Sequence, residues 1–585
     1  MIYYKLVKKW KETETMKFKG FLRMLSLLLA VVIALSACEV GGNGGTNETT
    51  TAPQTTETTA AETTTEETAE RLEGYRGEIS KSIDEVKLMY NLTDDDFDKT
   101  LAKLAEFEAL AISSEDVDAV DALYQEFEEM FYHVITQVNI ATLIYYYDTT
   151  VEETNEQYLN ANEKYGDMYN AYIEACKKAY ENSPIRDELF ADWTEEDIEE
   201  LFAYSPELQE LRQANEELLV ELNALGDATF YSRAAEIYAE IVMNNNRIAE
   251  LEGYDNYYDY ASVEIYGRDY DREDIAQFRS HLQEFVVPRM DDLSNNWMNV
   301  YYLLPAAQGR KVTSFLERPF DDLEKNYLQG YIDSYEGSTH EGFSHMFENR
   351  NVLFANSENS HQSAFQLYLH EIEAPFCLFG AYGQNTSTIA HEMGHYYAAL
   401  YNADVSSYDL AETQSQANEL LLLKYLEGEM EGPVYRVING YTMYLFAVQS
   451  VICVIVDEFE QAVYSLESTE GYTSADFDAI MRDVCEKYGG VAYLNENVVD
   501  INSYWRQVAT NSPVYYISYA VSMMASLSLY ATADEDEAAA REIYRILVEE
   551  TEEDETFISA IEKAGLGSPF LRETVEKIVP VLMGR

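Results

Sequence analysis

The sequence is short of positive charge. Lysine and arginine total 40 of its 585 residues against 106 aspartates and glutamates, which gives a formal net charge of −66. So acidic a surface repels nucleic acid phosphates and anionic lipid headgroups. Nucleic acid is therefore excluded as a partner. Because the acidic residues are spread along the chain, we expect them to form a hydrated, soluble surface.

Cysteine is also scarce, with five residues in the chain. One of them, Cys38, lies at the end of an N-terminal apolar run. The other four, Cys176, Cys377, Cys453 and Cys485, are scattered without CxxC spacing. The sequence therefore excludes a metal site built on paired cysteines.

The N-terminal region predicts an exported protein. Basic residues precede an uncharged apolar run from Met24 to Ala37, which has the layout of an export signal and is too short for a membrane span. We expect translation to begin at Met16, just before the basic residues. Residues 1–37 are predicted to be a signal peptide.

The end of this run predicts a lipid anchor. Leu35-Ser36-Ala37-Cys38 resembles a bacterial lipobox, so we expect cleavage before Cys38 and a lipid on its side chain, with a plain secretory signal as the alternative. The Thr/Glu-rich stretch 38–70 has little to bury and is predicted to be a disordered tether. The sequence thus predicts an extracytoplasmic lipoprotein that touches the bacterial cell membrane only through its lipid.

The remainder of the chain predicts a mainly α protein. Apolar residues recur every three or four positions in several segments, among them Leu101–Ile112, Asp116–Phe131 and Glu207–Leu225. Strand patterns are few, and the clearest lie between Val352 and Phe379, so we expect one small β-sheet.

The body is predicted to have two parts. We expect an N-terminal helical lobe at 71–205 and a catalytic region at 206–585. The apolar stretch Tyr441–Val456 contains Gln449 and stops at Asp457, so it is predicted to be a core helix rather than a membrane span.

Two of the eight histidines form an HExxH motif, His391-Glu392-Met393-Gly394-His395. Residues four apart on a helix lie on the same face, so both imidazoles can reach one metal ion. Glu392 then lies beside the ion, where a carboxylate can accept a proton from a bound water. The motif predicts a catalytic zinc site with His391 and His395 as ligands and Glu392 as the general base.

The third zinc ligand is predicted to be acidic. No histidine follows His395, which excludes the HExxHxxGxxH type of site. The next predicted helix begins after Ser406-Ser407 and carries Glu412 and Glu419, seven residues apart and therefore on one face. We assign Glu412 as the ligand, with Asp409 as the alternative, and Glu419 as a carboxylate that orients a ligand histidine.

The segments Glu371–Cys377, His391–His395 and Glu412–Glu419 together resemble the oligoendopeptidase F and thimet oligopeptidase family of zinc peptidases. Further similar stretches follow the family's order, at Pro513–Ala520 and Ala564–Phe570. The similarity spans residues 71–585.

The resemblance implies a two-lobed, helical, zincin-type metallopeptidase with a deep substrate channel, one zinc ion per chain and short, unfolded oligopeptides as substrates. It also implies that Tyr519, with Tyr515 or Tyr516, stabilises the oxyanion of the reaction intermediate, for which a phenol is a suitable donor. Ser512-Pro513 is predicted to open the helix that carries these tyrosines.

One departure from the family pattern leaves a second hypothesis open. Many members have a histidine shortly before the tyrosine motif, where this chain has Ala509-Thr510-Asn511. The alternative to a zinc endopeptidase is therefore a peptide-binding lipoprotein on the same fold with weak or no catalysis. The complete set of His391, His395, Glu412 and Glu392 favours the enzyme.

Overall fold

The computed structural model describes residues 79–584, with gaps at 192, 194–197, 199–200, 203–205, 224–226, 318–321, 356–358, 362, 382, 402–406, 490–503, 509–512 and 553–554. The predicted signal peptide, the tether and Cys38 lie outside the described residues. So do Ala509-Thr510-Asn511 and the residues just before the predicted lobe boundary.

The first part of the chain is helical and has a core of its own. Stacked rings of Phe127 and Tyr172, 5.7 Å between centroids, lie at the centre of that core. The predicted helical segments from Leu101 and from Asp116 are confirmed, and Asp116 caps the longer helix by accepting the Ala119 N–H. The helices are α1 (Ile83–Met89), α2 (Asp94–Ala111), α3 (Val117–Tyr147), α4 (Glu152–Asn182) and α5 (Arg186–Leu189).

The second part begins with helices that precede a small sheet. Pro206 is the first residue of its first helix, a position where its missing N–H has no cost. These helices are α6 (Pro206–Asn223), α7 (Asp227–Leu251), α8 (Tyr257–Tyr260), a π-helical turn (Ala261–Ile265), α9 (Arg272–Phe285), a 3-10 turn (Val287–Arg289), α10 (Met290–Tyr301), α11 (Ala306–Glu317), α12 (Asp322–Asp333) and α13 (Gly337–Glu348).

The predicted small sheet is confirmed. Its strands are β1 (Val352–Phe354), β2 (Ala364–Leu369) and β3 (Ala374–Phe379), in the order β1-β3-β2. The central strand β3 is buried throughout and pairs parallel to β1 and antiparallel to β2. Asn139 of α3 donates to the Tyr368 carbonyl at 2.9 Å, which ties the N-terminal helices to the edge of the sheet.

Helices make up the remainder of the described chain. They are α14 (Thr386–Tyr401), α15 (Tyr408–Glu429), α16 (Gly432–Tyr464), α17 (Ser474–Lys487), α18 (Trp505–Val508), α19 (Tyr516–Glu535), α20 (Glu537–Glu549), α21 (Phe557–Lys563) and α22 (Arg572–Leu582). The HExxH motif lies in α14, as predicted. Ser407 caps α15 by accepting the Leu410 N–H.

Helix α16 is the longest element of the core. Among the described residues it is the one helix long and apolar enough to cross a membrane, but 78% of its most apolar window is buried in the protein. The prediction of a core helix over Tyr441–Val456 is therefore confirmed, with wider bounds. The described cysteines Cys176, Cys377, Cys453 and Cys485 are free thiols, and all are buried.

Close packing of α14 on α15 depends on Gly394, inside the HExxH motif. A Cβ atom at this position would lie 2.8 Å from the Gln414 carbonyl oxygen and 2.8 Å from Ser415 Cα, both backbone atoms of α15. Asn418 of α15 donates to the Ala390 carbonyl of α14 at 2.7 Å and locks the two helices together. The acidic side chains of α15 are thereby brought against the histidines of α14.

Replacing Gly394 by alanine is expected to lower the free energy of unfolding by about 1–3 kcal/mol, because the backbone of α15 leaves no room for a methyl group. The matched control is Gly166→Ala in α4, where nothing lies within 4 Å of the added Cβ. That change is expected to stabilise the helix by about 0.5–1 kcal/mol. Urea unfolding of both variants measures the difference, and equal stabilities would contradict the close contact.

Candidate metal centre

Three side chains with metal-binding atoms converge between α14 and α15. The Nε2 atoms of His391 and His395 lie 3.2 Å apart, and Glu412 Oε2 lies 3.5 Å from the first and 3.9 Å from the second. Two ligands of a tetrahedral zinc ion, each about 2.0–2.2 Å from the metal, are about 3.3–3.6 Å apart. The two-nitrogen, one-oxygen donor set therefore fits a divalent ion of the zinc type.

A neighbouring carboxylate fixes the orientation of His391. Its Nδ1 lies 2.8 Å from Glu419 Oε1, so that Nε2, the other ring nitrogen, faces His395 and Glu412. Glu419 is held in turn by the Ser387 hydroxyl, one helical turn before His391. Glu419 thus contacts both His391 and Ser387, and its orienting role stays a prediction. The contact of Ser387 with Glu419 was not predicted, although Ser387 lies four residues before His391 and therefore on the same face of α14.

Glu412 is almost fully buried, and two hydroxyl groups fix its carboxylate. Tyr515 donates to Oε1 at 2.8 Å, and Ser415 donates to Oε2 at 3.2 Å. These bonds turn Oε2 toward the two histidines. A ligand carboxylate with such partners is already oriented before a metal ion binds.

The site concentrates negative charge in a buried place. Burial opposes the charged form of His391, but the carboxylates of Glu419, Glu412 and Glu392 outweigh it and raise its pKa to about 9. Burial and the neighbouring His391 hold the pKa of His395 well below its usual value. Burial, with Glu412 and Glu419 nearby, raises the pKa of Glu392 to about 7. Without a metal ion, the cluster therefore holds a proton on His391 at neutral pH.

Asp409, the alternative ligand, lies in a different environment. It is fully buried, and its Oδ1 is 4.0 Å from Nε of the equally buried Arg268. Among the described residues, the His, Cys, Asp and Glu side chains that could together hold an ion are His391, His395 and Glu412. The geometry thus favours Glu412 over Asp409 as the third ligand.

The three predicted tyrosines occupy different positions. Tyr515 lies against Glu412, and the ring of Tyr519 is 5.0 Å from that of Tyr515, edge-on. Tyr516 is buried with its ring 6.5 Å from Tyr504. The oxyanion roles of Tyr515, Tyr516 and Tyr519 stay predictions. The geometry gives Tyr515 a contact with a ligand, which the sequence did not indicate.

The prediction that Ser512-Pro513 opens the tyrosine helix is wrong. The helix α19 begins at Tyr516, because Val514 has a left-handed backbone with φ of 65° that a helix cannot contain. A β-branched residue in this region is strained by about 1–3 kcal/mol. Tyr515 is therefore the N-cap residue of the helix and not part of its first turn.

Comparison of the fold identifies similar solved structures. The structure of PZ peptidase A with an inhibitor is 17% identical in sequence, and the alignment covers 85% of this chain and 97% of the PZ peptidase chain, with a TM-score of 0.65. An oligoendopeptidase F structure from Bacillus anthracis str. Ames is 18% identical, with coverages of 84% and 95% and a TM-score of 0.63. An M32 carboxypeptidase from Deinococcus radiodurans R1 is 13% identical, with coverages of 84% and 100% and a TM-score of 0.51.

No protein-family model and no curated protein matches the sequence. At these identities the solved structures establish the fold of the chain. The two-lobed, mainly helical peptidase fold implied by the oligoendopeptidase F resemblance is confirmed.

Replacing Glu419 by glutamine is expected to weaken zinc binding about 10–100-fold, because the charged acceptor that orients His391 is lost. Chelator competition with the purified protein measures the affinity. The matched control is Glu429→Gln, an exposed position on the same helix, which should bind zinc as the wild type does. Equal affinities in the two variants would contradict the orienting role.

Proposed function

We propose that this chain is a zinc-dependent endopeptidase of the oligoendopeptidase F and thimet oligopeptidase family, acting on short, unfolded oligopeptides outside the cell. The proposal depends above all on the convergence of His391, His395 and Glu412, whose donor atoms all lie within 4.8 Å of one another. Glu392 adjoins His391 in sequence and is nearly fully buried. A metal ligand set with an adjacent buried carboxyl is the arrangement that hydrolysis by an activated water requires.

Zinc, when held by these three residues, supplies a Lewis acid that activates water and polarises the peptide carbonyl. Glu392 takes one proton from the attacking water as the new carbon–oxygen bond forms. It then gives that proton to the amide nitrogen, so that the carbon–nitrogen bond breaks and a neutral amine leaves. A buried carboxyl beside the ligand histidine is placed to make both transfers.

Tyr519 and Tyr515 are assigned separate tasks. Tyr515 already donates its hydroxyl hydrogen to Glu412, so it holds the ligand carboxylate. Tyr519, on the first turn of α19 and beside Tyr515, is proposed to donate to the oxyanion. Such a donor stabilises charge that exists only in the transition state.

Two other functions remain to be separated from this one. The likeness to an M32 carboxypeptidase favours removal of C-terminal residues as a second activity class. The alternative of a peptide-binding lipoprotein without catalysis rests on the absence of a histidine at 509–511. A quenched fluorescent peptide with acetylated and amidated ends is a substrate only for an endopeptidase, so its cleavage separates this function from the other two.

The proposed location and domain layout come from the sequence. We propose that a lipid on Cys38 holds the protein at the outer face of a bacterial membrane, through the tether at 38–70. The lobe at 71–205 and the catalytic region at 206–585 complete this layout. The sequence Leu35-Ser36-Ala37-Cys38 supports the anchor.

Replacing Glu392 by glutamine is expected to lower kcat on the capped peptide about 10²–10⁴-fold, because glutamine cannot take the proton from water. Zinc content should be unchanged, since the three ligands remain, and metal analysis of the purified variant verifies this. Glu429→Gln is the control for loss of a carboxylate and should have wild-type kcat. Substantial turnover by the Glu392→Gln variant would refute the assignment of the base.

Replacing Cys38 by alanine is expected to release the protein from the membrane fraction into the medium or the periplasm. Cell fractionation with detection of the full chain measures this. The control is Cys176→Ala, a buried thiol in α4, which should leave the protein with the membrane. Membrane retention of a Cys38→Ala variant whose mass shows that the signal peptide has been removed would rule out the lipid anchor.

A further inference from the structure

The turn at Pro513–Val514, just before Tyr515, is unusually constrained. Val514 has a φ of 65° and is fully buried. Of the three non-glycine residues with positive φ among those described, it is the β-branched one. Such a conformation persists only where the surroundings enforce it, and observed strain of this kind is a reason to look for function.

Three buried side chains hold the backbone of this turn. The Tyr266 hydroxyl donates to the Pro513 carbonyl at 2.6 Å, and Arg268 donates from a terminal nitrogen to the Val514 carbonyl at 2.7 Å. Glu460 accepts the Val514 N–H through Oε1 at 2.8 Å. We call Tyr266, Arg268 and Glu460 the turn clamp. Their bonds engage both polar backbone groups of Val514 and the carbonyl before it.

The clamp draws on two separate parts of the fold. Tyr266 and Arg268 follow the π-helical turn at Ala261–Ile265, whereas Glu460 lies near the end of α16. Glu460 is 1% exposed, and its Oε2 has no hydrogen-bond partner among the described residues. A carboxyl is costly to bury. The buried carboxyl of Glu460 accepts its hydrogen bond from Val514, the residue with the strained backbone.

The turn determines where Tyr515 is directed. Because Val514 is left-handed, α19 starts at Tyr516, and Tyr515 sits outside the helix with its hydroxyl on Glu412. The ring of Tyr266 lies 5.6 Å from that of Tyr515, so one clamp residue also contacts the tyrosine directly. A change in the turn would move the hydroxyl that orients the predicted metal ligand.

We propose that Glu460, with Tyr266 and Arg268, is a positioning residue of the metal site: it holds Val514 in the left-handed turn that directs Tyr515 onto Glu412. The inference rests on the proposed function, since Glu412 is taken there as a zinc ligand. It assigns a role in metal affinity to residues that do not themselves reach the metal ligands.

The first test is Glu460→Leu, which removes the acceptor of the Val514 N–H without adding a polar side chain. We expect zinc affinity, measured by chelator competition, to fall about tenfold, as for other groups that orient a metal ligand. We also expect kcat to fall while KM changes little. Glu460→Gln keeps an acceptor for the Val514 N–H. Burial raises the pKa of Glu460 to about 8, so the wild-type side chain is mostly uncharged at pH 7, as glutamine is. We therefore expect Glu460→Gln to have the zinc affinity and kcat of the wild type.

The second test asks whether the effect passes through Tyr515. In a Tyr515→Phe background, Glu460→Leu should produce no further loss of zinc affinity, because the hydroxyl that the clamp directs is already gone. Additive losses would overturn the proposal and indicate general destabilisation instead. Val514→Gly should restore affinity to Glu460→Leu, since glycine adopts positive φ without strain.

A milder variant covers the case in which Glu460→Leu does not fold. Tyr266→Phe removes one clamp hydroxyl and keeps the ring, and it should lower zinc affinity in the wild type but not in Tyr515→Phe. Wild-type affinity in Tyr266→Phe would then overturn the proposal.

The two proposals can fail separately. If the clamp variants lower zinc affinity as expected but the wild-type protein cleaves no peptide, the proposed function alone is refuted. An active wild type with unchanged clamp variants would refute the positioning role alone.

Discussion

Three carboxylates and two imidazoles lie close together in a largely buried space between α14 and α15, and the surrounding packing holds them there. They belong to Glu392, Glu412, Glu419, His391 and His395. Burying so many acids next to one another is unfavourable unless a positive charge compensates them. A proton on His391 supplies part of that charge, since the surrounding carboxylates raise its pKa to about 9. A divalent cation would supply more. The composition of the cluster therefore suits the proposed site for such a cation at His391, His395 and Glu412.

The scaffold positions these charges by packing helices more closely than ordinary side chains allow. Gly394 lets the backbone of α15 approach α14, and Asn418 ties the two helices through the Ala390 carbonyl. Ligands on rigid helices are placed more accurately than ligands on loops. Tyr515, which holds the ligand Glu412, instead follows the turn at Pro513–Val514, and that turn is held by hydrogen bonds from two other parts of the fold.

The sequence predicted those features that repeat along a helix. The spacing of His391 and His395, and of Glu412 and Glu419, follows from helical geometry, so the pairing of the helices could be anticipated. The start of α19 could not, because the left-handed backbone of Val514 is imposed by residues distant in sequence. Proline before a tyrosine-rich segment predicts a helix start by local preference, and tertiary contacts override that preference here. The contact of Tyr515 with Glu412 could not be predicted either, because nothing in the sequence indicates which of the chain's 48 tyrosines would contact Glu412.

The four buried thiols bear on how the core of the protein responds to oxidants. Burial raises the pKa of Cys176, Cys377 and Cys453 well above the usual value, so the reactive thiolate form is suppressed. Thiols that are both protonated and shielded oxidise slowly. A core whose thiols are buried in this way changes little between oxidising and reducing surroundings.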